Sequence, residues 1–171
     1  DLLKCNYFSY ECFFSNLEYD EKKLIEIMKK YNKKIVEDNN YYSENFKDTY
    51  LNEKNLKKVG FIRDDIDDLF EKKEINKREK AILITSLIYA VDRIANTVGH
   101  YDAYRKIDIP DKKLFLRPLN ITNSQYSTEI YKDDANELVK KIKADVVYID
   151  PPYNSRQYSD AYHLLENIAT W

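Results

Sequence analysis

Glycine is nearly missing from this chain: Gly60 and Gly99 are the two that its 171 residues contain. A nucleotide pocket of the Rossmann kind is built on a glycine-rich first βα turn, where the backbone must approach its ligand closely. No such turn occurs in this sequence. Cysteine is equally sparse. Cys5 and Cys12 show no Cys-x-x-Cys spacing, and at seven residues apart they share a helical face and read as buried, reduced thiols. No apolar run reaches the ~20 residues of a membrane span. The opening Asp1-Leu2-Leu3-Lys4-Cys5 has no signal-peptide layout. A cytoplasmic place is expected, without a membrane partner. An excess of one charge is also missing: 28 basic residues face 30 acidic ones, for a net charge of −2. That argues against a surface that grips nucleic acid everywhere and leaves room for a local basic face.

What is present is apolar and aromatic enough for a folded domain, 43% hydrophobic with sixteen tyrosines, the latter reading as compositional bias. Residues 6–17 and 18–35 carry helical patterns, the first rich in aromatics, the second amphipathic through Leu24, Ile25, Ile27 and Met28. Residues 37–50 are polar, tyrosine-rich and aperiodic, so a surface loop is expected. Asn52 can cap a helix to about Phe70 whose apolar residues Leu56, Val59, Ile62, Ile66 and Leu69 recur at threes and fours. Its acids Asp64, Asp65, Asp67 and Asp68 read as a solvated face, and no metal site is expected. Asn76-Lys77-Arg78-Glu79 has the form of a capping box opening the most apolar helix, 81–95, with Gly99 placed to end it. Residues 114–119 read as a short strand or extended segment. Strand 127–131, helix 136–142 and strand 145–149 read as a crossover unit with parallel strands.

The stretch that organises the rest is Asp145-Val146-Val147-Tyr148-Ile149-Asp150-Pro151-Pro152-Tyr153-Asn154-Ser155-Arg156-Gln157-Tyr158. A β-branched run stops at an acid and two prolines, which cannot continue a ladder because each lacks an N–H. Asp150 is thereby expected at the carboxyl end of a strand, where open α/β sheets place ligands. Its carboxylate and the Pro151 carbonyl can both accept from one –NH₂ group, while Tyr153 can stack on the ring that carries the amine. The plain alternative is a strand that ends in a turn. A helix is expected at 159–168.

Asp150-Pro151-Pro152-Tyr153, extended through Arg156 and Tyr158 to Tyr162-His163-Leu164-Leu165-Glu166-Asn167, resembles the catalytic loop of the D12 class of adenine-specific, S-adenosylmethionine-dependent DNA methyltransferases. It is most like the branch containing FokI-type modification methylases. The resemblance implies an α/β fold: a partial Rossmann-like methyltransferase core at 1–36 and 107–171, with a mainly helical insertion at 37–106. It implies S-adenosylmethionine as cofactor, with Asp1, Asp134 and Asp150 near it and Asp133 as the alternative to Asp134. Asp150, Pro151, Pro152 and Tyr153 become the catalytic loop. Tyr153, Arg156, His100, Tyr101 and Arg105 become contacts to double-stranded DNA or to the flipped base. The implied partners are DNA and a cognate restriction endonuclease. Capping is the plain alternative for Asp134, a capped helix end for the segment around His100, and a surface ion pair for Arg156. With no Met at the start, both ends read as cut, and the chain as an internal fragment without its cofactor loop. Methylation of RNA, or a non-catalytic α/β interaction module, are the alternatives.

Overall fold

Helix α5 (Lys77–Ile94) is the post against which the other elements stand, with thirteen of its residues buried, from Arg78 to Ile94. Apolar residues all round a helix demand neighbours on several sides. The computed structural model, which describes residues 2–122, 125–150 and 161–170, supplies them. Around α5 pack α1 (Lys4–Phe14), α2 (Glu21–Lys33), α4 (Glu53–Glu71) and α7 (His163–Thr170). A short α3 (Tyr41–Asn45) packs on α4, and α6 (Ala135–Leu138) forms part of the exposed stretch ahead of Asp150. One buried cluster runs from Cys5 through Leu56, Ile62, Leu87 and Leu116 to Ala169.

Each start is local chemistry. Asp20, Asn40, Asn52, Asn76 and Asp134 all accept a hydrogen bond from a backbone N–H in the first turn of the helix that follows, satisfying donors that a helix leaves open. The capping box at Asn76 forms as the sequence predicts, with Glu79 reaching back to the Asn76 N–H at 2.8 Å. Gly99 does not end α5. The helix stops at Ala95, and Gly99 lies beyond it at φ +102°, a conformation that favours glycine, inside a loop closed by the antiparallel bridge of Thr97 with Tyr104.

Residues 112–117 are extended but have no strand beside them. Two asparagines stand in for the ladder. Asn55 donates to the Lys112 carbonyl at 2.6 Å and accepts from the Leu114 N–H at 3.0 Å. Asn32 does the same to both backbone groups of Leu116, at 2.9 and 2.8 Å. With Ser86 Oγ donating to the Arg117 carbonyl at 2.6 Å, these bonds fix the alternation that buries Leu114 and Leu116 and exposes Phe115.

The fold class is a correction. The expected α/β, Rossmann-like arrangement is absent: the described residues form a helical assembly with no sheet. Residues 127–131 and 145–149 are not strands, and Val146, Val147, Tyr148 and Ile149 are between 63% and 87% exposed. β-Branched residues favour extended backbone, but a strand needs a ladder partner and a layer to cover it. Among the described residues neither is there. Residues 37–50, expected as a surface loop, instead contain α3 and bury Tyr42, Phe46 and Tyr50. The acidic face of α4 is solvated at Asp64 and Asp68. Asp65, however, accepts from Tyr31 Oη at 2.7 Å, and Asp67 joins Arg63 and Lys80 across α4 and α5. Among the described residues no group of acids, histidines or cysteines is arranged to hold a metal, and no helix is long and apolar enough to cross a membrane.

Candidate functional site

Of the expected catalytic loop, the structure describes Asp150, exposed at the end of a segment without helix or strand. Pro151, Pro152, Tyr153 and Arg156 lie outside the described residues, as does Asp1. The loop's C-terminal flank is well defined. Helix α7 begins at His163 and buries Leu164, Leu165, Ile168 and Ala169, the spacing of one helical face.

Hydrogen bonds to three other helices lock α7 in place. The Glu166 carboxylate accepts from the Lys4 and Cys5 N–H groups, at 2.9 and 3.0 Å, and so caps α1 from outside its own sequence. A carboxylate there also meets the positive end of the α1 dipole. Tyr41 and Tyr42 of α3 donate to the Asn167 side chain and carbonyl, at 3.2 and 3.1 Å. Arg63 of α4, 1% exposed, donates from Nε to the Ile168 carbonyl while its other nitrogens hold Asp67. Burial pushes the Cys5 thiol up to about 12, with Glu166 adding to it, and burial does the same to Cys12 despite Thr85 and Arg78. Both cysteines stand buried and unbridged.

An aromatic cluster joins α7 to the segment from Gly99 to Arg105. Tyr50 sits at its centre, 5.4 Å from the ring of His163, 5.4 Å from Tyr101 and 5.7 Å from Tyr104, and Phe46 stacks on His163 at 6.2 Å. Tyr50 Oη donates to the Tyr101 carbonyl at 2.6 Å. Tyr101 is buried, its hydroxyl donating to Asp92 at 3.1 Å, and burial together with the Asp92 carboxylate raises its pKa. His100 is exposed, with Nδ1 3.7 Å from Asp102. Arg105 is exposed too, and its carbonyl accepts from Asn96 at 2.9 Å. Two stretches of sequence, each a candidate in its own right, therefore share one set of rings. Tyr50 and Phe46 carry no signal in the sequence because they sit in an aperiodic stretch. The bond of Arg63 to the Ile168 carbonyl and those of Glu166 to the start of α1 carry no signal because the partners lie more than a hundred residues apart along the chain.

Asp134 caps α6, accepting from the Asn136 N–H at 2.8 Å through Oδ1, while Oδ2 has no partner among the described residues. Asp133 pairs with Lys141 at 2.9 Å, and that hydrogen bond holds its carboxyl below the usual range.

The chain belongs to the D12 class N6 adenine-specific DNA methyltransferase family, whose model matches residues 4–171. It is 43% identical over 132 residues to the modification methylase StsI of Streptococcus sanguinis, covering 75% of this chain and 20% of that protein. It is 44% identical over 126 residues to the type II methyltransferase M.FokI of Planomicrobium okeanokoites, covering 71% and 19%. It is 35% identical over 127 residues to the type II methyltransferase M.NlaIII of Neisseria lactamica, covering 71% and 37%. The matches thus span about a fifth of the first two relatives' length. No solved structure matches the chain.

Proposed function

We propose that this chain carries the catalytic loop of a site-specific DNA methyltransferase that places a methyl group on the N6 amine of adenine. One observation carries the reading: a family member whose sequence holds Asp150-Pro151-Pro152-Tyr153 upstream of a helix held on several sides. The family's reaction needs a methyl donor. We take it to be S-adenosylmethionine, which when bound supplies an electrophilic methyl on a sulfonium. Asp134 would hold it through the oxygen left open by capping, with Asp1 and Asp150 beside it.

The chain's own residues have three tasks. Asp150 and the Pro151 carbonyl accept hydrogen bonds from the amine, which localises the nitrogen lone pair and favours the positive charge that develops there as the N–C bond forms. Pro151 and Pro152 hold these acceptors on a stiff backbone, so that the nitrogen points along the line of displacement. Tyr153 stacks on the adenine once it has left the duplex. His100, Arg105 and Arg156 contact DNA, and Tyr101 acts through Tyr50 as a positioning residue for α7. Reactions of this kind run beside a restriction endonuclease acting on the same site, which is the partner this reading implies. With DNA as substrate, the cytoplasm is the expected place.

The experiment is a chimaera in which this chain replaces the matched segment of the Streptococcus sanguinis methylase. Duplex DNA treated with it is digested to nucleosides and analysed by mass spectrometry. The expected product is N6-methyl-2′-deoxyadenosine. Methyl-2′-deoxycytidine, or methylation of RNA in preference to DNA, would overturn the reading.

A further inference from the structure

A groove of about 910 Å³ runs between the end of α2, the first two turns of α4 and the clamped strap at residues 109–113. It is lined by six lysines: Lys34, Lys54, Lys57, Lys58, Lys112 and Lys113. Three acids, Glu37, Glu53 and Asp111, share the lining, and two of them are already engaged. Glu53 is held by Lys57 at 2.8 Å and Lys47 at 3.5 Å, and Asp111 accepts from Asn52 at 3.2 Å. Among the described residues no carboxylate pairs with Lys34, Lys54, Lys58, Lys112 or Lys113.

This groove is more than a scatter of surface lysines. Lys58 is 7% exposed, and its ammonium donates to the Asn32 carbonyl at 3.0 Å. Burial and the neighbouring Lys113 together lower its pKa. Lys112 and Lys113 ride on backbone that Asn55 clamps at both Lys112 and Leu114. Lys54 stands three residues from Lys57 and four from Lys58, the spacings that make neighbours along a helix. They lie at the positive end of a nineteen-residue helix, α4. Like charges held together in this way cost stability unless an anion sits among them. The chain as a whole is slightly acidic, at −2, so this positive field is local.

We propose that this groove is a phosphate track that takes the sugar–phosphate backbone of duplex DNA. A lone phosphate would engage two or three of these lysines, whereas charges spread over three segments of chain fit a polymer in which each strand offers a phosphate every ~3.4 Å of helix axis. The inference deepens the proposed function and rests on DNA being the substrate. The lysines meet backbone, so they position the duplex without reading its sequence.

The test uses the 171-residue chain and a fluorescently labelled DNA duplex, with binding followed by anisotropy over a salt series. Lys54→Gln, Lys112→Gln and Lys113→Gln are combined in one variant. Lys22→Gln, Lys73→Gln and Lys143→Gln form a control with the same change in net charge outside the groove. Thermal melts verify that both variants fold as the parent does. The groove variant is expected to bind about tenfold or more weakly, with a salt slope shallower by about 0.9 for each phosphate no longer neutralised, while the control stays close to the parent. Equal losses in both variants, no duplex binding by the parent at low salt, or preference for a double-stranded RNA of the same length would each overturn the assignment. Groove-dependent binding alongside a chimaera that fails to methylate would remove the proposed activity and leave the groove. Methylation with groove-independent binding would do the reverse.

Discussion

Glu79 illustrates how much one carboxylate can organise. It accepts from the N–H groups of Asn76 and Asp20, at 2.8 and 3.0 Å, and meets the Lys23 ammonium at 2.7 Å, so the starts of α2 and α5 meet at one side chain. Burial alone would raise its pKa. The bonds from Lys23, Asp20 and Asn76 outweigh that and hold the carboxyl below its usual range. A carboxyl depressed in the folded state contributes stability above its unfolded pKa and loses it as pH falls through the folded one. Glu79→Gln is therefore expected to cost about 1–3 kcal/mol at neutral pH. It should also flatten the fall in stability below about pH 4.3, as denaturant melts at several pH values would reveal. The capping role of Glu79 is legible from its position three residues after Asn76. Its bonds to Asp20 and Lys23 are not, because a pattern read along one segment says nothing about which other segment will arrive beside it.

At the scale of elements, α4 carries a glycine for the sake of α3. A Cβ on Gly60 would lie 2.3 Å from Cγ of Asn40, whose side chain is itself held by the Lys57 carbonyl at 2.7 Å and by the N–H groups of Tyr42 and Ser43 at 3.1 and 3.3 Å. Alanine is better than glycine in a helix interior by up to ~1 kcal/mol, but overpacking against a fixed neighbour costs about 1–3 kcal/mol. The clash should win. Gly60→Ala is expected to lower the melting temperature, and less so when combined with Asn40→Ala, because the two substitutions relieve each other.

The lock on α7 gives a second prediction at this scale. Arg63→Leu removes the donor to the Ile168 carbonyl and leaves Asp67 with Lys80 alone. It should cost about 1–3 kcal/mol and speed hydrogen exchange within 163–170 more than within α1. Helices α2, α4 and α5 are legible because period, cap and length agree, and α1 from its residue pattern alone. The expected strands at 127–131 and 145–149 fail for the opposite reason: β-branched composition describes a segment that would suit a sheet, and a sheet is a property of several segments together. Residues 112–117 stay extended without one because Asn32 and Asn55 supply its hydrogen bonds.

At the scale of the whole molecule, one core reaches from Cys5 to Ala169, while the apolar run Val146 to Ile149 stays uncovered. Exposed runs of this kind invite association between chains. Val147→Lys with Ile149→Lys is expected to raise the concentration at which the chain stays monodisperse, measured by light scattering, with little effect on the melt. The family is legible from a few residues, since Asp150-Pro151-Pro152-Tyr153 and its tail are a local signature. The arrangement of the fold is not local, and the α/β expectation, drawn from the family resemblance and from a crossover pattern over 127–149, does not survive it. At the centre of the proposed activity stands Asp150, acting on the amine that receives the methyl group. The most direct test is single-turnover methylation by the chimaera with Asp150→Ala and Asp150→Asn. A hydrogen bond to a charged group contributes roughly 1.5–3 kcal/mol, or about one to two decades in rate. The prediction is a loss of that size for alanine, a smaller loss for asparagine, which keeps one acceptor, and nearly unchanged cofactor affinity in both. Methylation by Asp150→Ala at the parent rate would contradict it.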